Sequence, residues 1–369
     1  MDRSGHQVHE KVADMRPPIT SVGWVRWLRE NLFSSPLSAA LTLVTAYVLY
    51  LLVPPLFGWA FLDAVWFAAS REECWATGEG ACWAIVTTRV DQFIYGDYPA
   101  DERWRAVLAF VLLLLALVPI LFDRVPGRAR WLVFSLLYPL IAYVLLIGGV
   151  PGLPEVETAK FGGFLLTLVI GVTGISASLP LGILLALGRR SDLFIVRVLC
   201  VGFIEFIRGV PLITLLFVAS TLLNYFLPPG TSFNLLVRVL IMVTLFSSAY
   251  LAEVIRGGLQ AIPGGQYEAA NSLGLSYWKS MRLVILPQAL KISIPGIVNS
   301  FIALFKDTTL VIIIGMLDPL GIGKATLSDA TWQGLSTEVY VFVALFFFIC
   351  CFSMSRYSLY LERKLHTGH

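Results

Sequence analysis

FLLTLVIGVTGISASLPLGILLALG, Phe164–Gly188, contains no aspartate, glutamate, lysine or arginine. As a helix rising 1.5 Å per residue, such a run crosses a hydrocarbon layer of about 30 Å. An open strand would leave its backbone donors and acceptors unpaired in lipid. A barrel strand would alternate polar and apolar residues over about ten positions, and this run does not. Working outward, apolar runs of similar length predict eight spans, at 36–57, 104–122, 131–149, 161–187, 198–227, 235–256, 286–315 and 338–357. With 57% hydrophobic and 14% charged residues, the chain has too little polar surface for one soluble core. The expected fold class is all-α, a polytopic membrane protein of about eight transmembrane helices.

An even number of spans places both ends on one side. That side collects Arg16, Arg26, Arg29, Arg124, Arg128, Arg130, Arg189, Arg190, Arg197, Arg256, Lys279, Arg282, Arg356, Arg363 and Lys364. An excess of Lys and Arg in short loops marks the cytoplasmic side, so both termini are expected there. The opposite side receives a long loop whose Arg71, Arg89, Arg103 and Arg105 are balanced by Glu72, Glu73, Glu79, Asp91, Asp97, Asp101 and Glu102. The formal charge is only +3, and the basic residues lie in short loops. This pattern describes topology next to membrane lipid and does not imply nucleic acid. The opening 31 residues lack the order of a cleavable signal.

The expected organisation is a cytoplasmic tail at 1–35 and a three-helix extension at 36–150 with an external loop at about 58–103. VPGLPEVETAK, Val150–Lys160, reads as the linker to a second unit at 151–362, followed by a tail at 363–369. Intramembrane polar residues concentrate in that second unit, so function is sought there. Cys200, Cys350 and Cys351 fall in apolar segments, whereas Cys74 and Cys82 fall in the external loop and are the candidate disulfide.

The second unit also holds a polar loop at about 257–285, including QYEAANSLGLSYWKSMRLVILPQAL, Gln266–Leu290. Ile262-Pro263-Gly264-Gly265 ends the preceding span, and Glu268 is expected near a new helix N-terminus. Ala269 and Ala270 leave a low surface, Gly274 suits a helix end, and Pro287 is tolerated in a first helical turn. On the residues alone, the loop is either an ordinary turn with a short helix or a surface that seats in another protein.

Glu268-Ala269-Ala270, then Gly274, then Val284-Ile285-Leu286-Pro287 resembles the EAA loop of importer-type ABC permeases. The family pattern is EAA, three residues, Gly, nine residues, Ile, one residue, Leu-Pro, and Val284 stands where it has Ile. IEFIRGVPLITLLF (Ile204–Phe217), SAYLAEVIRGGLQAIPGGQYEAA (Ser248–Ala270) and FKDTTLV (Phe305–Val311) are similar to the polar amino acid branch of that family. GACWAIVTTRVDQFIYGDYP, Gly80–Pro99, resembles the M-type subunit of general L-amino acid permeases of Gram-negative bacteria. The resemblance implies a five-helix permease core in a bacterial inner membrane. It also implies that Glu268, Ala269, Ala270, Gly274, Leu286 and Pro287 couple the membrane helices to an ATPase. The implied partners are a second, related permease, two cytoplasmic ABC ATPases that bind ATP and Mg, a periplasmic binding protein and an amino acid substrate. The chain itself is expected to bind no cofactor and to catalyse nothing.

Charged residues within spans are costly, about 2.5 to 3.5 kcal/mol even on lower scales, so they normally face a polar cavity or each other. Glu253, Lys306, Asp307, Thr308 and Thr309 are therefore candidates for the translocation path. The acids would serve a substrate ammonium, and the lysine and hydroxyls a carboxylate. The competing reading is a structural ion pair, including Lys306 with Asp307. Glu205 and Arg208 share a helix face just before Gly209-Val210-Pro211. Glu205, Arg208 and Pro211 are accordingly candidates for a gate elbow, or for an interfacial pair beside a proline bend. Met242, Phe246 and Tyr250, four apart, read as interhelical packing.

Gly321-Ile322-Gly323-Lys324 is not a phosphate loop, because Asp318 stands where the first glycine is required. His6, His9, His366 and His369 lie in the tails with no cluster of other ligands, so no metal site is expected. Two rival classes remain: a self-sufficient secondary transporter, which would show inverted repeats of broken helices, and a membrane scaffold that conducts nothing.

Overall fold

The computed structural model describes residues 23–122, 125–222 and 234–365. Arg16, Arg124, the four tail histidines and the end of the fifth expected span lie outside the described residues. Regular structure among the described residues is helical, apart from isolated bridges at Gly96–Phe161 and Val150–Leu153. The chain divides into two compact units, one of residues up to Val65 with Thr77–Ala81, the other of Trp66–Ala76 with Cys82 onward.

The first unit contains α1 (Gly23–Asn31) and α2 (Pro36–Phe57). Ser35 caps α2 by accepting the Ser38 N–H at 3.1 Å, and Pro36 occupies the first turn, where its missing N–H costs nothing. A π-turn, Gly58–Leu62, extends the helix past Pro54 and Pro55.

The second unit opens with short helices α3 (Arg71–Thr77), α4 (Ala84–Thr87) and α5 (Val90–Tyr95); the last residue of α3, Thr77, falls in the first unit. Spans α6 (Arg103–Leu121) and α7 (Arg128–Ile147) follow. The stretch Val150–Lys160 is a pinned turn. Fully buried Arg105 donates to the Pro154 carbonyl at 2.9 Å and pairs with Glu102 at 2.8 Å, while the Val156 N–H returns to Ile147 O at 2.8 Å.

Then come α8 (Gly163–Arg189), α9 (Phe194–Gly209), α10 (Leu212–Phe217), α11 (Leu235–Gln260), α12 (Gly264–Ser272), α13 (Tyr277–Ser280), α14 (Leu286–Asp307), α15 (Pro319–Leu327) and α16 (Ser336–Leu365). The heart of the unit is α8 against α11, with α14 packed on α11 and reaching α8 as well, where Leu304 and Phe305 approach Gly174 and Gly171. Glycine permits the first contact: a Cβ on Gly182 would come within 2.8 Å of the Leu251 Cβ.

Among the described residues, seven helical stretches are long and apolar enough to cross a membrane, and eight if one bent pair counts as a span. That pair corrects the expected fifth span. α9 and α10 meet at 100° instead of forming one rod, because Pro211 lacks an N–H and pushes Val210 into the extended region at φ −108°, ψ 131°. The seventh span also begins earlier than expected. Helical structure is continuous from Tyr277 to Ile314 through a π-turn at Met281–Ile285, ahead of Pro287.

Candidate functional site

The polar loop is organised around α12. Glu268 lies mid-helix and not in the first turn, because the helix begins four residues earlier, after Pro263. Gly274 has φ +70° and closes the helix: its N–H bonds Asn271 O at 2.9 Å, and the Leu275 N–H reaches back to Ala270 O at 3.2 Å. This double bond pattern needs a left-handed residue, which glycine supplies without strain. Ala270 is buried, whereas Glu268, Ala269 and Gly274 face outward. The inner side is fixed by Tyr267, whose hydroxyl donates to Leu259 O at 3.1 Å and accepts from Arg190 at 3.0 Å.

The outer side carries apolar residues that the sequence pattern did not single out. Leu273 is 78% exposed and Trp278 67%, with Tyr277 beside it at 50%. Together they make the tip of a polar loop apolar, the composition of a candidate contact surface. Leu286 and Pro287 open α14 directly after the π-turn, so α12 connects through one short turn to an unbroken helical rod.

Glu253 sits in a cluster of guanidinium groups. Its carboxylate oxygens lie 2.9 Å from Arg189, 3.0 Å from Arg256 and 3.8 Å from Arg208. Arg189 also bonds Glu205 at 2.8 Å, and Arg208 lies over the Tyr250 ring at 5.6 Å. The gate candidates Glu205 and Arg208 thus belong to the same network as Glu253, immediately before the bend at Pro211. Three arginines against two glutamates leave one positive charge in excess. The i to i+3 spacing of Glu253 and Arg256 was legible in the sequence; Arg189, at the end of another helix, was not.

Lys306 and Asp307 end α14, and residues 308–314 continue as a 3-10 turn. Lys306 is exposed and Asp307 half-buried, and the described ion pairs do not join them. Thr308 is buried and donates to Phe305 O at 2.8 Å, and Thr309 donates to Lys306 O at 2.9 Å. Contacts place Glu253 and Asp307 at different depths. Gly296 packs on Val254, next to Glu253, while Leu304 is level with Gly174 and Val243. Eleven residues from Gly296 to Asp307 correspond to about 16 Å of helix. The acids are two sites rather than one.

In the loop expected to be external, Cys74 and Cys82 are bridged, with Cα atoms 5.8 Å apart. The bridged segment is bound to the end of the last span: the Cys82 N–H donates to Glu338 at 3.2 Å, Arg71 donates to Gln333 O at 2.9 Å, and Arg89 pairs with Asp329 at 2.9 Å. Asp318 is fully buried and caps α15 by accepting the Gly321 N–H at 2.8 Å, while its Oδ2 has no hydrogen-bond partner among the described residues. Burial pushes this carboxyl up to about 6.

The family described as "Binding-protein-dependent transport system inner membrane component" matches residues 178–367, the part that holds α9 to α16. The chain belongs to this family. The "Glutamate/glutamine/aspartate/asparagine transport system permease protein BztC" of Rhodobacter capsulatus is 50% identical, covering 98% of each chain. The "Inner membrane amino-acid ABC transporter permease protein YhdY" of Escherichia coli is 53% identical over 93% of each. Both relatives match across the N-terminal helices as well as the core. A solved structure described as an amino acid ABC transporter with histidines is 30% identical, covers 54% of this chain and 91% of its own, and superposes with a TM-score of 0.48. As a component of this family the permease is a multi-pass membrane subunit and not an enzyme. The family and the relatives, named as transport-system permease proteins, support the importer-permease reading and not the secondary-transporter or scaffold alternatives.

Proposed function

We propose that this permease is the translocating subunit of an ATP-driven importer of polar amino acids, in which α12 and its flanking turn transmit nucleotide-dependent motion. The observation that carries this reading is the connection itself: a glycine-closed helix tipped by exposed Leu273, Tyr277 and Trp278, joined to the rod Tyr277–Ile314 that bears Lys306 and Asp307. A coupling element must be rigid toward the membrane and adhesive toward its partner, and this one has both properties. Its partners are two ATPase subunits, which bind ATP and Mg2+, a second permease of related sequence, and a periplasmic binding protein that delivers the amino acid. The α12 side is cytoplasmic, as are both termini, in keeping with the basic residues there. Lys306 and Asp307, exposed to different degrees at one depth, suit the carboxylate and ammonium of an amino acid. Glu253 is already answered by arginines and suits a structural lock near the gate.

Co-purification with identification of the bound chains tests the assembly. Replacing Gly274 by Trp tests the joint. The bulky residue meets open space, since nothing among the described residues lies within 4 Å of a Cβ there, so membrane insertion is expected to stay normal. Stimulation of ATP hydrolysis by loaded binding protein is expected to disappear. Wild-type stimulation and uptake in Gly274→Trp would refute coupling through this loop.

A further inference from the structure

The helix α1, GWVRWLREN, has two chemically distinct faces. At 100° per residue, Trp24, Trp27 and Leu28 share one arc, and Arg26, Arg29 and Glu30 share the opposite one. No residue of α1 is buried, and Trp24 and Trp27 are 75% and 58% exposed. Arg26 pairs with Glu30 at 2.7 Å along the polar arc, which leaves Arg29 as its excess cation.

What covers the indoles follows from the adjoining chain. The Leu32 and Phe33 N–H groups bond Leu28 O at 2.8 and 3.2 Å and end the helix. Thr42 of α2 donates to Leu32 O at 2.8 Å, which fixes the elbow, and α2 begins only five residues after α1 ends. α2 is apolar enough to span a bilayer and buries no residue within the chain. A helix tied to the first turns of such a span is held at the boundary between headgroups and acyl chains. Indoles are stable there because the ring is apolar and its N–H is polar.

We propose that α1 is an interfacial anchor, with Trp24, Trp27 and Leu28 inserted at the membrane surface beside the start of α2 and Arg29 held on anionic phospholipid headgroups. Its occupant is the lipid surface itself. A short helix with aromatic and leucine residues on one face and basic residues on the other binds this layer in proportion to buried apolar area and headgroup charge. This role is independent of the importer reading and assigns work to a segment preceding the core.

The test uses the full chain in lipid nanodiscs, with Cys200, Cys350 and Cys351 replaced by Ser. Single variants Trp24→Cys, Arg26→Cys, Trp27→Cys, Leu28→Cys, Arg29→Cys and Glu30→Cys carry an environment-sensitive fluorophore, and the parent without an added cysteine serves as the labelling blank. Quenching by nitroxide lipids is expected to be at least about twofold stronger at 24, 27 and 28 than at 26, 29 and 30, with iodide quenching reversed. Removing phosphatidylglycerol from the nanodiscs should weaken lipid quenching at 24, and Arg29→Gln should abolish that lipid dependence. Equal iodide quenching at all six positions would place α1 in water. Shielding of 24, 27 and 28 from both quenchers would mean a protein cover. Either result overturns the proposal, as does indifference to anionic lipid.

Discussion

Neutralising Glu253 separates a structural lock from a substrate ligand. Glu253→Gln keeps the shape and removes the charge that holds Arg189, Arg256 and Arg208 at 2.9, 3.0 and 3.8 Å. The cluster then passes from three positive and two negative charges to three and one. An exposed pair contributes about 0 to 1 kcal/mol and breaking a buried one costs about 3 to 5 kcal/mol. Glu253 is 15% exposed and its partners 22 to 35%, so solvent screening puts the loss between these limits, at about 2 to 3 kcal/mol. The thermal midpoint of purified complex should fall by several degrees, and the loss should shrink in high salt. Asp307→Asn provides the contrast: no ion pair among the described residues holds it, so the midpoint should barely move. Uptake per assembled complex should instead fall, with altered preference among cationic, neutral and acidic amino acids. The reasoning is refuted if Glu253→Gln leaves the midpoint and its salt dependence unchanged while altering substrate preference.

Asp318 should make the start of α15 sensitive to pH. Its folded carboxyl titrates near 6 against an ordinary 3.8, so the folded state prefers the protonated form. The contribution of this group to stability is largest at low pH and declines as pH rises from about 4 through about 6, by about 3 kcal/mol in total. Asp318→Asn keeps an acceptor for Gly321 and should flatten the thermal midpoint between pH 5 and 7.5; a slope identical to wild type would show that this group is not the cause. For Cys74 and Cys82, thiol labelling of denatured protein should increase after reduction by two thiols, and equal labelling with and without reductant would exclude the bridge.

The spans were legible because hydrocarbon permits few solutions: an uncharged run such as Phe164–Gly188 has only one way to satisfy its backbone there. The bend before α10 was legible from Pro211 alone, since its effect is local and steric. The beginning of the rod at Tyr277 was not. Ser276 to Ile285 is polar enough to pass for loop, and its helical state depends on packing of Ser280, Met281 and Ile285 against the core. Within the candidate sites, residue types were visible and partnerships were not. Glu253 reads as a lone intramembrane acid until Arg189 arrives from the end of α8, sixty-four positions earlier. The same limit applies to Leu273 and Trp278, because exposure is a property of the folded loop.

The rod also explains how the two depths can act together. Its tightest contact with α11 is at Gly258, where a side chain would collide with Ser293 and Ala289, and Ser293 donates to Val254 O at 3.3 Å. Pro295 lies two residues further on. From Ser293 to Tyr277 is about 24 Å of helix, and from Ser293 to Asp307 about 21 Å. With a pivot at this contact, a tilt of about 5° moves either end by about 2 Å in opposite directions. Such a shift at the α12 end is within the play of an exposed loop, while at Lys306 and Asp307 it is enough to make or break a hydrogen bond, whose donor–acceptor range is only about 2.7 to 3.2 Å. The Glu253 cluster lies next to the pivot, so holding α8, α9 and α11 together there keeps the fulcrum fixed while the arms move. On the proposed reading, coupling and substrate contact lie about 45 Å apart on one element, and the paired charges of α8, α9 and α11 sit beside its middle.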